Sequence, residues 1–330
     1  MISSTIPSLL DLPNELILHT LSCLPTAQVL NLATVSHRLY ALVCRLLHAR
    51  LCDAAGLSGH TLLLECYHPS QKLTEPPLFC SYLSTPELDS CCVDDEGGSV
   101  IGRLAAMRDL YSTFRPHRRI VSKRAHPAGD IPGSRTYTSP SSSSSPPTTM
   151  PPQPVLALEP VRQILSLEGH ELFTQLCCVT NLVRIGPRQG IFRSFITVGE
   201  GVIRVWKDWL ASMAFSASHL VVITKEQAAA VAKGKEPDLA CPAIETQGDW
   251  RVLWSDNKFN VGVRLKVKEK KWQRNAPVLI HADEEVSVSF EIEYQELVVR
   301  TTHLLLMLEQ SGLQDENSGK AVVFGSFGAV

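Results

Sequence analysis

The sequence predicts an α+β protein. A three-helix N-terminal module precedes a mainly antiparallel, sandwich-like β domain, with a long disordered insertion between them. Three observations carry this. Apolar residues recur at helical spacing from Leu12 to Leu51; two later segments alternate with a period of two; and residues 139–154 are almost wholly Ser, Pro and Thr.

The helical module comes first. Pro13 suits a first helical position, where its missing N–H costs nothing. Glu15 lies in the first turn, where a carboxylate meets the positive end of the helix. Ile17, Leu21 and Leu24 share one face. Pro25 ends that helix, and Thr26 can cap a second through its hydroxyl. Ser36 can cap a third, whose stripe is Leu39, Leu42, Val43, Leu46, Leu47 and Leu51, with Gly56 as its stop. Roughly forty residues bury too little surface to fold well alone. The stripes need a cover, which is either the rest of this chain or another protein. A partner contributing ~800 Å² at roughly 25 cal/mol per Å² could stabilise such a unit.

The anchors Leu12, Pro13, Glu15, Leu16, Leu21, Leu24, Pro25, Leu32, Val35, Ser36, Arg38 and Leu42 together resemble an F-box over residues 9 to 50. This is the module by which substrate receptors dock on the Skp adaptor of SCF (Skp–cullin–F-box) ubiquitin ligases. Thr20 stands where the family favours an aliphatic residue, and Leu39 where it favours Trp. The layout as a whole looks most like F-box proteins of the fungal type. The resemblance implies that Leu12, Pro13, Leu16, Leu21, Leu24, Pro25 and Leu32 face the adaptor, with Val35 and Leu39 completing the packed module.

Bulk composition sets limits. The formal net charge of −2 predicts no global attraction to nucleic acid or anionic membrane. No apolar run approaches eighteen residues, and no basic region with an apolar core opens the chain, so neither a membrane span nor a secretory signal is expected. Ten cysteines include the adjacent pairs Cys91-Cys92 and Cys177-Cys178 but no C-x-x-C. Free thiols packed as small apolar groups are the expectation, with no metal and no cofactor.

Beyond the helices, Thr61–Tyr67 reads as a buried strand and Leu78–Leu83 as its return. Residues 101–114 show helical spacing. A Ser/Pro-rich linker is expected over 115–155, because so few apolar residues cannot order themselves. Within it lie Ser139-Pro140 and Ser145-Pro146, sites a kinase could reach, and a basic cluster of Arg115, Arg118, Arg119, Lys123 and Arg124. That cluster reads as a solvated loop first, a nuclear-import signal second and nucleic-acid contact last, since no aromatic residues interleave.

The β-rich domain is expected over 156–311. Phe173–Ile185 is a strand, and Ile191–Val198, Gly199-Glu200-Gly201 and Val202–Trp206 read as a hairpin. Val261, Val263, Leu265 and Val267 alternate with polar residues, as do Val286, Val288, Phe290, Ile292 and Tyr294. The first strand is basic on its outer face and the second acidic, which predicts that they pair as neighbours, each facing pair worth roughly 0.2–1 kcal/mol. Val298–Leu308 reads as a core strand, with a helix as the alternative. After Gly312 a loose tail (312–330) is expected, with an edge strand available at Ala321–Phe324. The domains are thus 8–55, 56–114 (packed on the C-terminal domain), 115–155, 156–311 and 312–330.

All five tryptophans, Trp206, Trp209, Trp250, Trp254 and Trp272, fall in one stretch. They fill a small β core or form a ligand surface, since indole faces stack on apolar surfaces such as sugar rings. The arrangement is similar to the β-sandwich of plant phloem lectins, but no lectin motif matches. No G-x-S-x-G, P-loop, H-E-x-x-H or carboxylate pair marks an enzyme, and His170, His281 and His303 stand alone.

The sequence therefore reads as a non-catalytic substrate receptor of an SCF-type ligase, in cytoplasm or nucleus. Its partners are a Skp-type adaptor with its cullin complex and a protein target, glycosylated or not. The alternatives are a lectin-like ligand-binding protein whose F-box acts outside a ligase, and an enzyme whose site leaves no motif.

Overall fold

The structure, a computed structural model, describes residues 12–72, 74–89, 102–118, 160–185, 191–216, 250–270, 287–317 and 323–324. The Ser/Pro-rich stretch, both Ser-Pro sites, Arg119, Lys123, Arg124, Cys91-Cys92, Trp272, His281 and Val286 lie outside these residues.

Three helices open the described chain: α1 (Asn14–Ser22), α2 (Thr26–Leu32) and α3 (His37–Ala55). Pro13 sits one place earlier than expected, at the N-cap of α1. The Ser36 hydroxyl oxygen accepts from the Leu39 N–H at 3.2 Å, capping α3 as its sequence predicts. Thr26 corrects the expectation at α2. It makes no side-chain cap, because its hydroxyl is drawn into a tertiary contact described below.

The strands are β1 (His60–Tyr67), β2 (Leu78–Ser84), β3 (Tyr111–His117), β4 (Arg162–Leu167), β5 (Phe173–Ile185), β6 (Ile191–Trp206), β7 (Val252–Trp254), β8 (Val261–Lys270), β9 (Val288–Arg300) and β10 (Val323–Phe324). Among the described residues they form one antiparallel sheet in the order β10-β6-β5-β1-β2-β3-β9-β8-β7, with β4 added on β9. The sandwich-like domain is this single sheet folded on itself until its ends nearly meet. Inward side chains from eight strands share one core, among them Leu62, Phe114, Leu167, Leu176, Leu182, Val205, Leu265 and Ile292.

The pairing expected from charge is present. Arg264 opposes Glu296, Lys266 opposes Glu293, and Lys268 opposes Glu291 across β8 and β9. Arg264 Nη1 lies 2.5 Å from Glu296 Oε2, and β4 brings Arg162 within 3.2 Å of Glu293.

Further expectations are corrected. Gly199-Glu200-Gly201 is no turn: β6 runs unbroken through it. The glycines serve closure of the sheet instead. A Cβ on Gly201 would overlap the Ser255 carbonyl, and one on Gly199 would lie 2.6 Å from Val261 Cγ2. Residues 101–114 hold only a short helix, α4 (Arg103–Arg108), before β3, which runs through Arg115 and Pro116 and so takes the first residues expected as linker. A longer helix, α5 (207–216), continues from β6 and sets Leu210 and Met213 into the sheet core. The run Val298–Leu308 is split, ending β9 at Arg300 and starting a helix, α6 (Thr301–Asn317), at the next residue. The strand ends where β9 leaves the sheet; beyond it Leu304 and Met307 pack on the sheet core, while Leu305 enters the core of the N-terminal helices and Leu308 touches both. Helix α6 also occupies the first part of the expected tail, while Val323–Phe324 pairs with β6 as an edge strand.

Candidate functional site

The helices have two apolar faces with different fates. Their inner face forms a core of Ile17, Leu21, Val29, Leu39, Leu42, Val43, Leu47 and Leu51. Later segments seal this core through Leu88, Met107, Leu110 and Leu305. Their outer face keeps large apolar side chains in solvent: Leu16 is 52% exposed, Leu30 43% and Val35 62%. Pro13 and Pro25 are also exposed, and Leu12, Leu24 and Leu32 are half-buried.

The geometry is held locally. Arg38, at the start of α3, donates from Nε to Asn14 Oδ1 at 2.9 Å and from Nη2 to the Leu12 carbonyl at 2.7 Å. This pins the entry of α1 against α3. Thr20 donates its hydroxyl to the Leu16 carbonyl at 2.8 Å, so this polar residue in an aliphatic position is satisfied within its own helix.

The exposed face therefore differs from the expected set. Leu21 and Leu39 are buried, at 2% and 3%, and support the face from within. Val35, expected inside, stands outside. Leu30 was missed by sequence reasoning, because Val29, Leu30 and Leu32 are all apolar and a seven-residue helix gives too little period to say which one points outward.

The tryptophans also separate. Trp206 and Trp250 are each half exposed. Trp206 pairs across the strands with Phe173, their ring centroids 5.3 Å apart, and Arg204 lies over Phe173 at 5.5 Å. Val202, Arg204 and Trp206 alternate outward on β6, with Leu172 exposed beside them in sequence to Phe173. Trp209 packs on the sheet core, and its indole N–H donates to the Trp250 carbonyl at 2.9 Å. Trp254 lies between Tyr111 and Phe259, each ring 5.5 Å away, and covers Gly262, where a Cβ would meet its ring at 2.8 Å. Trp209 and Trp254 thus hold structure, and Trp206 and Trp250 remain as a surface.

The thiols Cys23, Cys44, Cys52, Cys66, Cys80, Cys177 and Cys178 are free. Burial pushes the Cys80 thiol far up, so it stays neutral inside the sheet. Among the described residues no group of three or more His, Cys, Asp or Glu could hold a metal. His303 Nε2 donates to the Val198 carbonyl at 2.7 Å, and His170 lies exposed 3.7 Å from Glu168. A cavity between the end of α3 and β2 is lined by Leu57, His60, Phe79, Ser81, Tyr82 and His117, with no carboxylate among its lining residues. Both His60 nitrogens are engaged there, by the Ser58 carbonyl and the Ser311 hydroxyl, each at 2.9 Å.

The F-box domain family matches residues 9–48, so the chain carries an F-box domain. F-box domains bind the Skp adaptor in SCF complexes and serve substrate recognition by ubiquitin ligases; proteins that carry them are typically adaptors rather than enzymes. No curated protein and no solved structure matches the chain.

Proposed function

We propose that this chain is the substrate-recruiting subunit of an SCF-type ubiquitin ligase. Leu12, Pro13, Leu16, Leu24, Pro25, Leu30, Leu32 and Val35 form the face that enters the Skp adaptor, with Leu21 and Leu39 beneath it. The observation that carries this reading is that an F-box match coincides with an apolar face left in solvent after the chain has sealed its own helical core. Burying one Leu side chain is worth roughly 1.5–3 kcal/mol, enough for three or four of them to hold a complex. The β domain, which includes β1–β3 as well as the strands after residue 160, holds a protein target, and the chain does no chemistry itself. It raises the concentration of target lysines beside the conjugating enzyme. Cytoplasm or nucleus is the setting this role requires.

Pull-down of the full chain with Skp adaptor and cullin tests the proposal. Wild type is expected to retain both, and Leu12→Ala/Pro13→Ala to retain neither. Failure of wild type to bind adaptor at micromolar concentration overturns it.

A second reading rests on Trp206 and Trp250, each half exposed, with the half-buried Phe173 packed beside Trp206; such indole faces can stack on a sugar ring. On this reading the target is a glycan or glycoprotein, with or without a ligase. Glycan binding lost in Trp206→Ala, without cullin co-purification from cells, is its signature.

A further inference from the structure

Glu309 lies on α6, far along the chain from the helical module, yet its carboxylate reaches the start of α2. Both oxygens accept from the Thr26 backbone N–H at 3.2 Å, and Oε1 accepts from the Thr26 hydroxyl at 2.5 Å. Arg50 of α3 closes the group. Its Nη1 donates to Glu309 Oε1 at 3.3 Å and to the Thr26 hydroxyl at 2.8 Å. Its Nη2 donates to the carbonyls of Leu24 at 2.5 Å and Ser22 at 3.1 Å. One guanidinium and one carboxylate thus gather the end of α1, the start of α2, α3 and α6.

The burial is graded as such a clamp needs. Thr26 is 5% exposed, and the side chains of Arg50 and Glu309 are 15% and 29% exposed. Charge-assisted hydrogen bonds in this setting are shorter and stronger than neutral ones, and removing one partner leaves the others poorly satisfied. Neither Thr26 nor the α1–α2 turn has a local substitute, since α2 carries no side-chain cap of its own. Leu305 and Leu308, on α6 with Glu309, pack into the helical core. The turn held by the clamp carries Leu24 and Pro25, both in the proposed docking set.

Because α6 begins at the residue after β9 ends, no linker separates the sheet from the clamp. We infer that Glu309 is a positioning residue of the docking module: α6 acts as its fourth wall, so that the adaptor-facing turn is shaped, and its orientation to the β domain set, by the last helix of the β domain. The inference rests on the adaptor-docking reading above. It makes an F-box at residues 9–48 conditional on residues near 309.

The test uses the full chain as wild type, Glu309→Ala, Glu309→Gln and Leu16→Asp, titrated with purified Skp adaptor, alongside amide hydrogen exchange of each. Glu309→Ala is expected to weaken adaptor binding about tenfold and to speed exchange over residues 22–32, while β1 and β5 keep wild-type protection. Glu309→Gln keeps an oxygen for the Thr26 donors and is expected to restore most of both. A loss of general stability would not be rescued in this way, nor confined to one turn. The inference is overturned if Glu309→Ala binds within about twofold of wild type with unchanged exchange at 22–32. It is also overturned if exchange rises equally in β1 and β5. Should Glu309→Ala not fold, Thr26→Ala removes the hydroxyl shared by both charged groups and carries the same expectation at about threefold. Leu16→Asp separates the two claims. If wild type and Leu16→Asp bind adaptor equally poorly, the docking reading fails, and exchange alone decides whether Glu309 orders α2.

Discussion

Both the helical head and the β domain leave some large apolar side chains in solvent, but only in the head does the exposed face coincide with a family match. In β8, Val261, Val263, Leu265 and Val267 all turn into the sheet core, and the alternating Arg264, Lys266 and Lys268 face Glu296, Glu293 and Glu291 of β9. In the head, Leu16, Leu30 and Val35 stay in solvent although a sealed core lies directly beneath them. The β domain also keeps Leu172, Val202, Trp206 and Trp250 in solvent. The head buries Leu21 and Leu39 but leaves Leu16 in water, and that exposed face lies within the F-box match, which is what supports the docking proposal.

This contrast predicts where substitutions separate binding from stability. The largest effect is expected from Leu16→Asp combined with Val35→Asp. Two charges on the exposed face should lower adaptor affinity about a hundredfold, or about 2.7 kcal/mol, with the melting temperature unchanged to within ~2 °C. Calorimetric titration and a thermal melt check both halves, and a matching fall in melting temperature would erase the distinction between the two faces.

Gly201→Val probes the other side. Its side chain must displace the Ser255 backbone where the folded sheet closes. A loss of about 2–3 kcal/mol is expected, lowering the melting temperature by roughly 5–10 °C. Adaptor affinity measured well below the melt should stay within about twofold. Unchanged stability would show that the β7–β8 connection does not close the sheet.

Smaller effects sharpen the comparison. Ser36→Ala removes the cap on α3 and should cost about 1 kcal/mol in urea denaturation. Smallest is the Lys266→Glu and Glu293→Lys pair. Each alone should destabilise by roughly 0.2–1 kcal/mol, and the two together should recover part of it, because they are opposed across β8 and β9. The register decides the partner: Lys266 faces Glu293, and a swap with Glu291 should recover less.

Much of this was readable beforehand, for a physical reason in each case. The three helices, the Ser36 cap and the β8–β9 pairing depend on neighbours in sequence or on a period of two, both of which the order of residues displays. The same local logic misread Gly199-Glu200-Gly201, since glycine is favoured equally by a turn and by close backbone approach. It could not divide Val298–Leu308 into strand and helix, because both bury continuous apolar residues. In the proposed docking face, Leu16 was legible from its motif, whereas Leu30 needed the rotation of α2 to be known.

The sequence by itself determined the N-terminal F-box domain, the antiparallel β class of the larger C-terminal part and the pairing of a basic with an acidic strand. Each is written in short-range periodicity or in side-chain type. Only the tertiary structure decided which apolar residues of the head are sealed and which remain outside, which tryptophans are surface, and that Glu309 meets Thr26 and Arg50. Those depend on how helices rotate against one another and on contacts between distant residues, where a single carboxylate among many carries no mark of the partner it will find.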